Sequence, residues 1–287
     1  MANPTAAPIE TSKKQLAPET ISFYREAMAV FEEAAVPFLV GGAYAFARYT
    51  GVERYTKDFD VFVRPEDFER ALDAFTRKGW KTERTAPHWL GKVWRDEDFV
   101  DVIFSSGNGV ARVDELWFER AVAGRVLDRS VRLIPAEEMI WSKAFIMERE
   151  RFDGADVAHL LRCCAEKLDW EHLLERFEPN GGWRVLFAHL VLFSYIYPGE
   201  AGRLPKRVFH QLMERLRDET PDPGEDPRLC RGSILSRSQY LIDLYRWGYH
   251  DARLRPMGNM SLEEIEHWTV AAEEDGDVTQ FQALEEG

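Results

Sequence analysis

The sequence has few cysteines and no long hydrophobic run, and both shortages exclude classes of protein. Its cysteines are Cys163, Cys164 and Cys230, which provide neither a disulfide framework nor the Cys-x-x-Cys pair of a zinc site. The longest apolar run, residues 185–197, contains His189 and is shorter than the roughly 20 residues that span a bilayer. The N-terminus lacks the basic segment and apolar core of a secretory signal. We therefore expect a cytoplasmic protein with no membrane partner.

Positively charged residues are also fewer than negatively charged ones. The chain carries 37 Lys and Arg against 50 Asp and Glu, a formal net charge of −13. Because phosphate backbones are bound mainly by Lys and Arg, we expect no broad nucleic-acid surface, although a local basic groove is compatible with this charge. With 45% hydrophobic and 30% charged residues, the composition is that of an ordinary globular protein.

The order of hydrophobic patterns predicts an α+β protein in two parts. Residues 18–134 alternate helical and extended patterns, which is typical of a small mixed β-sheet with flanking helices. Helical patterns dominate from residue 135 to residue 272, which predicts an all-helical C-terminal region. Residues 1–17 are predicted to form a flexible tail and residues 273–287 an acidic tail.

The most informative segment is residues 38–63. It reads as an apolar strand, a Gly41-Gly42 turn, a short helix and a second strand that carries Asp58 and Asp60. Because side chains alternate along a strand, these two carboxylates point the same way and form half of a divalent-cation site. The glycines let the backbone approach a ligand just before a helix N-terminus, which favours phosphate. The combination predicts magnesium-dependent nucleotidyl transfer.

Each part of this motif also has a purely structural explanation. The two aspartates can form the solvated face of an edge strand, and the glycine pair can be a simple tight turn. Arg54 and Thr56 precede the carboxylates, and each is a candidate either to contact phosphate or to cap the local backbone. The sequence leaves these alternatives open.

The whole order of strand, Gly-Gly turn, helix and Asp-x-Asp strand resembles the active-site signature of the DNA polymerase β-like nucleotidyltransferases. The Gly-Gly form is similar to a bacterial branch that includes minimal nucleotidyltransferases and abortive-infection toxin transferases. The resemblance covers residues 20–165. It implies that Mg²⁺ and an NTP are bound, and that a nucleoside monophosphate passes to an acceptor hydroxyl on an RNA end, a protein or a small molecule with release of pyrophosphate.

Asp101 is the candidate for a third carboxylate. It lies inside the apolar stretch 99–104, where a bare carboxylate is costly unless something satisfies its charge. Two-metal transfer calls for such a group beside the Asp-x-Asp pair, and the resemblance implies an acidic residue on a neighbouring strand. We therefore assign the metal site to Asp58, Asp60 and Asp101. The alternative places Asp101 on an exposed strand face.

Lys143 leads a second group of candidates. It is embedded among apolar residues, so that its stem is expected to be buried, and its compact charge suits a triphosphate. The resemblance implies that Lys143 contacts phosphate and that Asp153 or Asp156 supports the acceptor or orients basic groups. The alternatives are a lysine that extends from an apolar face to solvent, an Asp153 that caps a helix, and ion pairs with Arg149 and Arg151.

Other aromatic and polar stretches are predicted to pack rather than to bind. Residues 232–240 combine aromatic, hydroxyl and basic side chains, but such stretches are common in helix packing, and no site is assigned there. Trp89 is predicted to be a core residue. A rival function is a catalytically silent protein of the same fold that binds nucleotide or serves as a toxin-antitoxin partner. The presence of Asp58, Asp60, Asp101 and Lys143 together favours the enzyme.

Overall fold

The computed structural model describes residues 16–54, 56–219, 224, 226–255 and 258–274. The predicted flexible tail lies outside this part of the chain except for residues 16 and 17, and the predicted acidic tail except for residues 273 and 274. The described residues form one mixed sheet with flanking helices, followed by a helical C-terminal region. The predicted α+β class is confirmed.

The N-terminal half alternates helices with the strands of one sheet. Its helices are α1 (Pro18–Glu33), α2 (Gly42–Thr50), α3 (Pro65–Arg77) and α4 (Glu115–Glu119). Its strands are β1 (Leu39–Val40), β2 (Asp58–Phe62), β3 (Lys81–Ala86), β4 (Leu90–Arg95), β5 (Asp98–Ile103), β6 (Val122–Val126) and β7 (Arg129–Leu133). Helix α3 begins at a proline, whose missing N–H would have no helical partner there. It buries an apolar stripe that includes Phe68, Ala71, Leu72 and Phe75.

The sheet brings the acidic strands together. Its seven strands run in the order β3-β4-β5-β2-β1-β7-β6. Strand β2 is parallel to β5 with Asp60 opposite Asp101, and β4 is antiparallel to β5 with Lys92 opposite the same aspartate. Because directly paired residues point to the same face of a sheet, Asp60, Asp101 and Lys92 share one face. Asp58 shares it too, since it lies two residues before Asp60.

The C-terminal half is mainly helical. Its helices are α5 (Ala136–Ala144), α6 (Gly154–Cys164), α7 (Trp170–Phe177), α8 (Trp183–Ile196), α9 (Lys206–Asp218), α10 (Gly232–Leu235), α11 (Leu241–Tyr245) and α12 (Leu262–Glu274). The region differs from the predicted all-helical one by a two-stranded parallel ladder of β8 (Leu229–Cys230) and β9 (His250–Asp251). Strands of two residues are too short to show an alternating pattern in the sequence.

The hydrophobic core is continuous across the predicted boundary between the two halves. A single cluster of buried side chains extends from Phe23 on α1 to Ala252 after β9, and it includes Ile134 and Ala136 on either side of that boundary. The division at residue 134 therefore stays a prediction. Among the described helices, none combines the length and the apolar character that crossing a membrane requires.

Candidate active site

The Gly-Gly turn lies in direct contact with the Asp-x-Asp strand. The Gly41 N–H donates to the Asp60 carbonyl at 3.0 Å, and Gly42 has a φ of +53°. A Cβ atom at residue 42 would lie 1.7 Å from Asp60 Oδ2, and one at residue 41 would lie 2.2 Å from the Phe62 ring. Both glycines are thus needed for a close approach, and the first turn of α2 begins beside a carboxylate.

The three predicted metal ligands line one pocket of about 410 Å³. Burial raises the pKa of Asp60 to about 7, and the like charges of Asp101 and Asp58 add to this rise. Burial also raises the pKa of Asp101, although the Lys92 ammonium partly offsets the effect. Crowded carboxylates with raised pKa values are common at functional sites. The pocket therefore concentrates negative charge at the paired centres of β2 and β5.

Lys92 is a member of the site that the sequence analysis missed. Its Nζ atom donates to Asp101 Oδ1 at 2.7 Å, and the two side chains are only 19% and 14% exposed. The same ammonium lies 3.8 Å from the centre of the Phe99 ring. A strand lysine becomes informative only when its partner across the sheet is known, and the cross-strand register was not predicted from the sequence.

The donor set fits magnesium by its chemistry. Carboxylate oxygens are the ligands that Mg²⁺ prefers, and the raised pKa of Asp60 marks charge that a cation would relieve. Asp58 is exposed beside it. In the part of the chain that the structure describes, however, no three His, Cys, Asp or Glu side chains are grouped to hold one ion. Asp101 is paired with Lys92 instead.

Lys143 is held between two acids. Its Nζ atom lies 2.7 Å from Asp153 Oδ2 and 2.8 Å from Asp156 Oδ2, and both carboxylates are 11% exposed. Arg151 donates to both oxygens of Asp153 at 3.1 Å. Burial opposes ionisation of Asp153, but the hydrogen bonds and charges of Arg151 and Lys143 lower its pKa below the ordinary value. The acids therefore orient two cations, and both cations line the pocket.

The side chain of Asp153 excludes one of its predicted alternatives. It occupies the position before the first residue of α6, but its side chain makes no capping hydrogen bond. It binds Lys143 and Arg151 instead. The capping interpretation is wrong for this side chain.

Arg54, Thr56 and Asp156 contact other site residues. Arg54 lies 2.6 Å from Asp156 Oδ1 and 4.5 Å from the centre of the Phe46 ring. The pKa of Asp156 is lowered, against the effect of burial, by the hydrogen bond from Arg54 and the charge of Lys143. Thr56 Oγ1 accepts from the Asp58 N–H at 3.0 Å, which is the backbone-capping alternative. Of the sequence-predicted residues, the pocket is lined by Gly42, Asp58, Asp60, Asp101 and Lys143.

Part of the pocket wall comes from regions to which the sequence analysis assigned no site. Residues 233–237 and Trp268 on α12 line it together with Trp89. Trp89 is half-buried: it packs against a small core cluster of Ala86, Leu90 and Ile103, as predicted, and it also lines the pocket. These residues are distant in sequence from the Asp-x-Asp strand, and no local pattern connects them with it.

Comparisons with known proteins assign the chain to a family. The sequence model of a family described as uncharacterised nucleotidyltransferases matches residues 19–197, which include every predicted site residue. No curated protein matches the sequence.

Several solved structures are similar to the chain at low identity. The antibiotic-resistance factor ANT(2'')-Ia is 14% identical, with a TM-score of 0.42 over 63% of this chain and 99% of its own. The lincosamide antibiotic adenylyltransferase LnuA, solved with lincomycin bound, is 16% identical, with a TM-score of 0.36 over 51% of this chain and 98% of its own. An antigenic nucleotidyltransferase-like protein from Paracoccidioides brasiliensis is 12% identical, with a TM-score of 0.41 over 68% of this chain and 99% of its own.

The family assignment rests on the sequence match, since each of these TM-scores is low. The expectation of a nucleotidyltransferase is confirmed, whereas the toxin-like branch stays a prediction. With its Gly-Gly turn, its Asp-x-Asp strand and Lys143 all inside the matched region, the chain belongs to the family of uncharacterised nucleotidyltransferases.

Proposed function

We propose that the protein transfers a nucleoside monophosphate from an NTP to an acceptor hydroxyl, with Mg²⁺ as cofactor and pyrophosphate as the second product. The observation that carries this proposal is the contact between Gly42 and Asp60 in a pocket that also contains Asp101 and Lys143. A backbone turn suited to phosphate, carboxylates suited to a cation and a lysine suited to a triphosphate meet there.

Asp58 and Asp60 would hold the magnesium ion, which when bound neutralises phosphate charge and so favours attack at the α-phosphorus. The chain's own cations would add to this effect. Lys143 and Arg151 line the pocket, and their acidic partners hold them in place. Pre-oriented charges of this kind stabilise a phosphoryl-transfer transition state without reorganisation during the reaction.

Asp101 would serve the acceptor. Its carboxylate would take the proton of the acceptor hydroxyl while that oxygen bonds to the α-phosphorus. The bond from the α-phosphorus to the oxygen that bridges to the β-phosphate breaks, and pyrophosphate leaves with that electron pair. Lys92, 2.7 Å from Asp101 Oδ1, would orient the carboxylate.

Calorimetric titration with non-hydrolysable NTP analogues, with and without magnesium, tests the nucleotide site. We expect magnesium-dependent binding that is lost in the double variant Asp58→Asn/Asp60→Asn. Pyrophosphate release that occurs only when an acceptor is added would support transfer. Magnesium-dependent binding without pyrophosphate release on any acceptor would favour the catalytically silent binder, and absence of binding for every NTP would contradict the proposal.

A further inference from the structure

The far wall of the catalytic pocket is built by residues beyond the family match. That match ends at residue 197, whereas residues 233–237 and Trp268 line the same pocket as Asp60 and Lys143. This wall therefore belongs to the region that follows the matched nucleotidyltransferase core. Whatever it binds is selected by this chain's C-terminal region.

The segment 233–237 is bonded to both sides of the pocket. Asn108 Nδ2 donates to the Ile234 carbonyl at 2.8 Å, which ties the segment to the loop after β5. The Met147 N–H donates to the Leu235 carbonyl at 3.0 Å, which ties it to the segment between α5 and α6. Arg237 Nε lies 3.2 Å from Glu148 Oε1 on that same side. The segment is thus bonded both to the loop after β5 and to the segment between α5 and α6.

Trp268 forms an aromatic corner in this wall. Its ring meets Trp89 edge to face at 5.7 Å and 85°, and the Arg237 guanidinium lies 5.1 Å from its centre. It packs so closely on Gly107 that a Cβ atom there would lie 2.4 Å from the ring. The indole is held by its neighbours and still lines the pocket, so it presents a rigid apolar surface to a ligand.

The order of the strands indicates which substrate meets this corner. The Gly-Gly turn follows β1, the Asp-x-Asp pair lies on β2, Asp101 lies on β5, and Trp89 immediately precedes β4. These strands are neighbours in the order β4-β5-β2-β1. The Gly-Gly turn and the Asp-x-Asp pair therefore lie on one side of Asp101, and the aromatic corner lies on the other. Since Asp101 would take the acceptor's proton, the acceptor occupies the aromatic side.

We propose that Trp268 and Trp89 bind the acceptor, and that this acceptor is a small molecule with a flat ring and a free hydroxyl. The inference rests on the proposed function. Segment 233–237 lines a pocket of about 410 Å³, which is at the lower end of the range for small-molecule sites. Aromatic faces suit a flat ring, and Glu148, which also lines the pocket and pairs with Arg237, would accept a hydrogen bond from a ligand hydroxyl.

NTPs labelled at the α-phosphate test this inference. The protein is incubated with such NTPs, magnesium and, separately, the small-molecule, RNA and protein fractions of a cell lysate. We expect label to enter the small-molecule fraction. In Trp268→Ala, half-maximal labelling should require about tenfold more of that fraction, the scale of one lost aromatic stacking contact, with little change in the maximal rate. Trp268→Phe, which keeps an aromatic ring, should need an amount of that fraction close to the wild-type amount for half-maximal labelling.

Trp247→Ala is the matched control, because Trp247 is 58% exposed and is not among the residues that line the pocket. It should behave as wild type, and NTP-analogue affinity should be unchanged in every variant. Label in the RNA or protein fraction overturns the inference. So does half-maximal labelling at the same amount of the small-molecule fraction in wild type and Trp268→Ala. Weaker NTP binding in Trp268→Ala also overturns it, because the nucleobase would then occupy the corner. Wild-type protein that binds no NTP would instead contradict the proposed function itself.

Discussion

The Asp60 carboxylate occupies the space that a side chain on residue 42 would need. A Cβ atom there would lie 1.7 Å from Asp60 Oδ2, and Gly42 has a φ of +53°, in the left-handed region that favours glycine. The start of α2 and the centre of β2 are therefore in contact through an atom that only glycine lacks. This contact places backbone N–H groups and a carboxylate around the same small volume.

Gly42→Ala is expected to weaken magnesium-dependent binding of an NTP analogue by at least about tenfold, because Asp60 must move and one charged contact is worth about that much. Calorimetric titration measures the change. Gly51→Ala is the matched control: Gly51 has a φ of +71°, and nothing lies within 4 Å of its added Cβ. Both variants should lose about 1 kcal/mol of stability to backbone strain, and Gly42→Ala should lose more because its methyl group overlaps Asp60. Equal NTP affinity in the two variants would contradict the role of Gly42.

Asp60→Asn should stabilise the metal-free protein in a pH-dependent way. The pKa of Asp60 is raised to about 7, so the native state retains a proton that the unfolded chain releases near pH 4. Wild-type stability therefore falls as the pH rises from about 4 to 7, whereas the variant lacks this loss. In EDTA, the Tm of Asp60→Asn should exceed that of wild type by a margin that grows from about pH 4 to about pH 7 and stays constant above that pH.

Magnesium should reverse that difference. Above about pH 7, where Asp60 is ionised, added Mg²⁺ should raise the Tm of the wild type and leave that of Asp60→Asn unchanged, because ligands stabilise only the state that binds them. Asp73→Asn, an exposed change on α3, should respond as wild type does. An equal magnesium response in Asp60→Asn would remove Asp60 from the metal site.

Lys143→Ala should weaken NTP-analogue binding by at least about tenfold while changing magnesium affinity less, because the lost charge contacts phosphate. It also leaves Asp153 and Asp156 with Arg151 and Arg54 as their remaining cations, so titration must be done well below the variant's Tm. Lys81→Ala, at a side chain 71% exposed, is the control. Unchanged NTP affinity in Lys143→Ala would count against its role.

Arg176→Met should destabilise the fold by about 3 kcal/mol, because it removes the guanidinium paired with the buried Glu138 carboxylate and leaves that carboxylate with His172 at 2.7 Å. It also breaks the pair with Asp114. Glu138 is completely buried on α5, and Arg176 on α7 lies 3.0 Å from it and is only 10% exposed. Arg120→Met breaks a pair with Asp169 whose members are 38% and 45% exposed, and it should cost below about 1 kcal/mol. Denaturant unfolding of both variants measures the difference, and similar values would refute the argument.

Local patterns carried the prediction of the catalytic strands. Because a glycine pair, a short helix and an Asp-x-Asp strand follow one another directly, their chemistry was readable without tertiary contacts. The capping box before α12 is an equally local feature: the Ser261 N–H donates to Glu264 Oε2 at 2.6 Å. Each of these features depends on residues that are close in the chain.

Partners that lie far apart in the chain were not predicted. Lys92 reaches Asp101 only through the register of β4 on β5, and a register is determined by the packing of a whole sheet. Lys143 was assigned to phosphate from its apolar surroundings, but its ion pairs with Asp153 and Asp156 depend on how α5 packs against α6.

The sequence by itself determined the fold class, the Gly-Gly turn and the carboxylate strand, because these depend on alternation, glycine content and helical spacing over short stretches. The tertiary structure alone decided that Asp60 lies beside Asp101, that Lys92 pairs with one of the acids, and that Trp268 lines the pocket. Those contacts depend on side-chain packing between distant segments, and no single stretch of sequence specifies that packing.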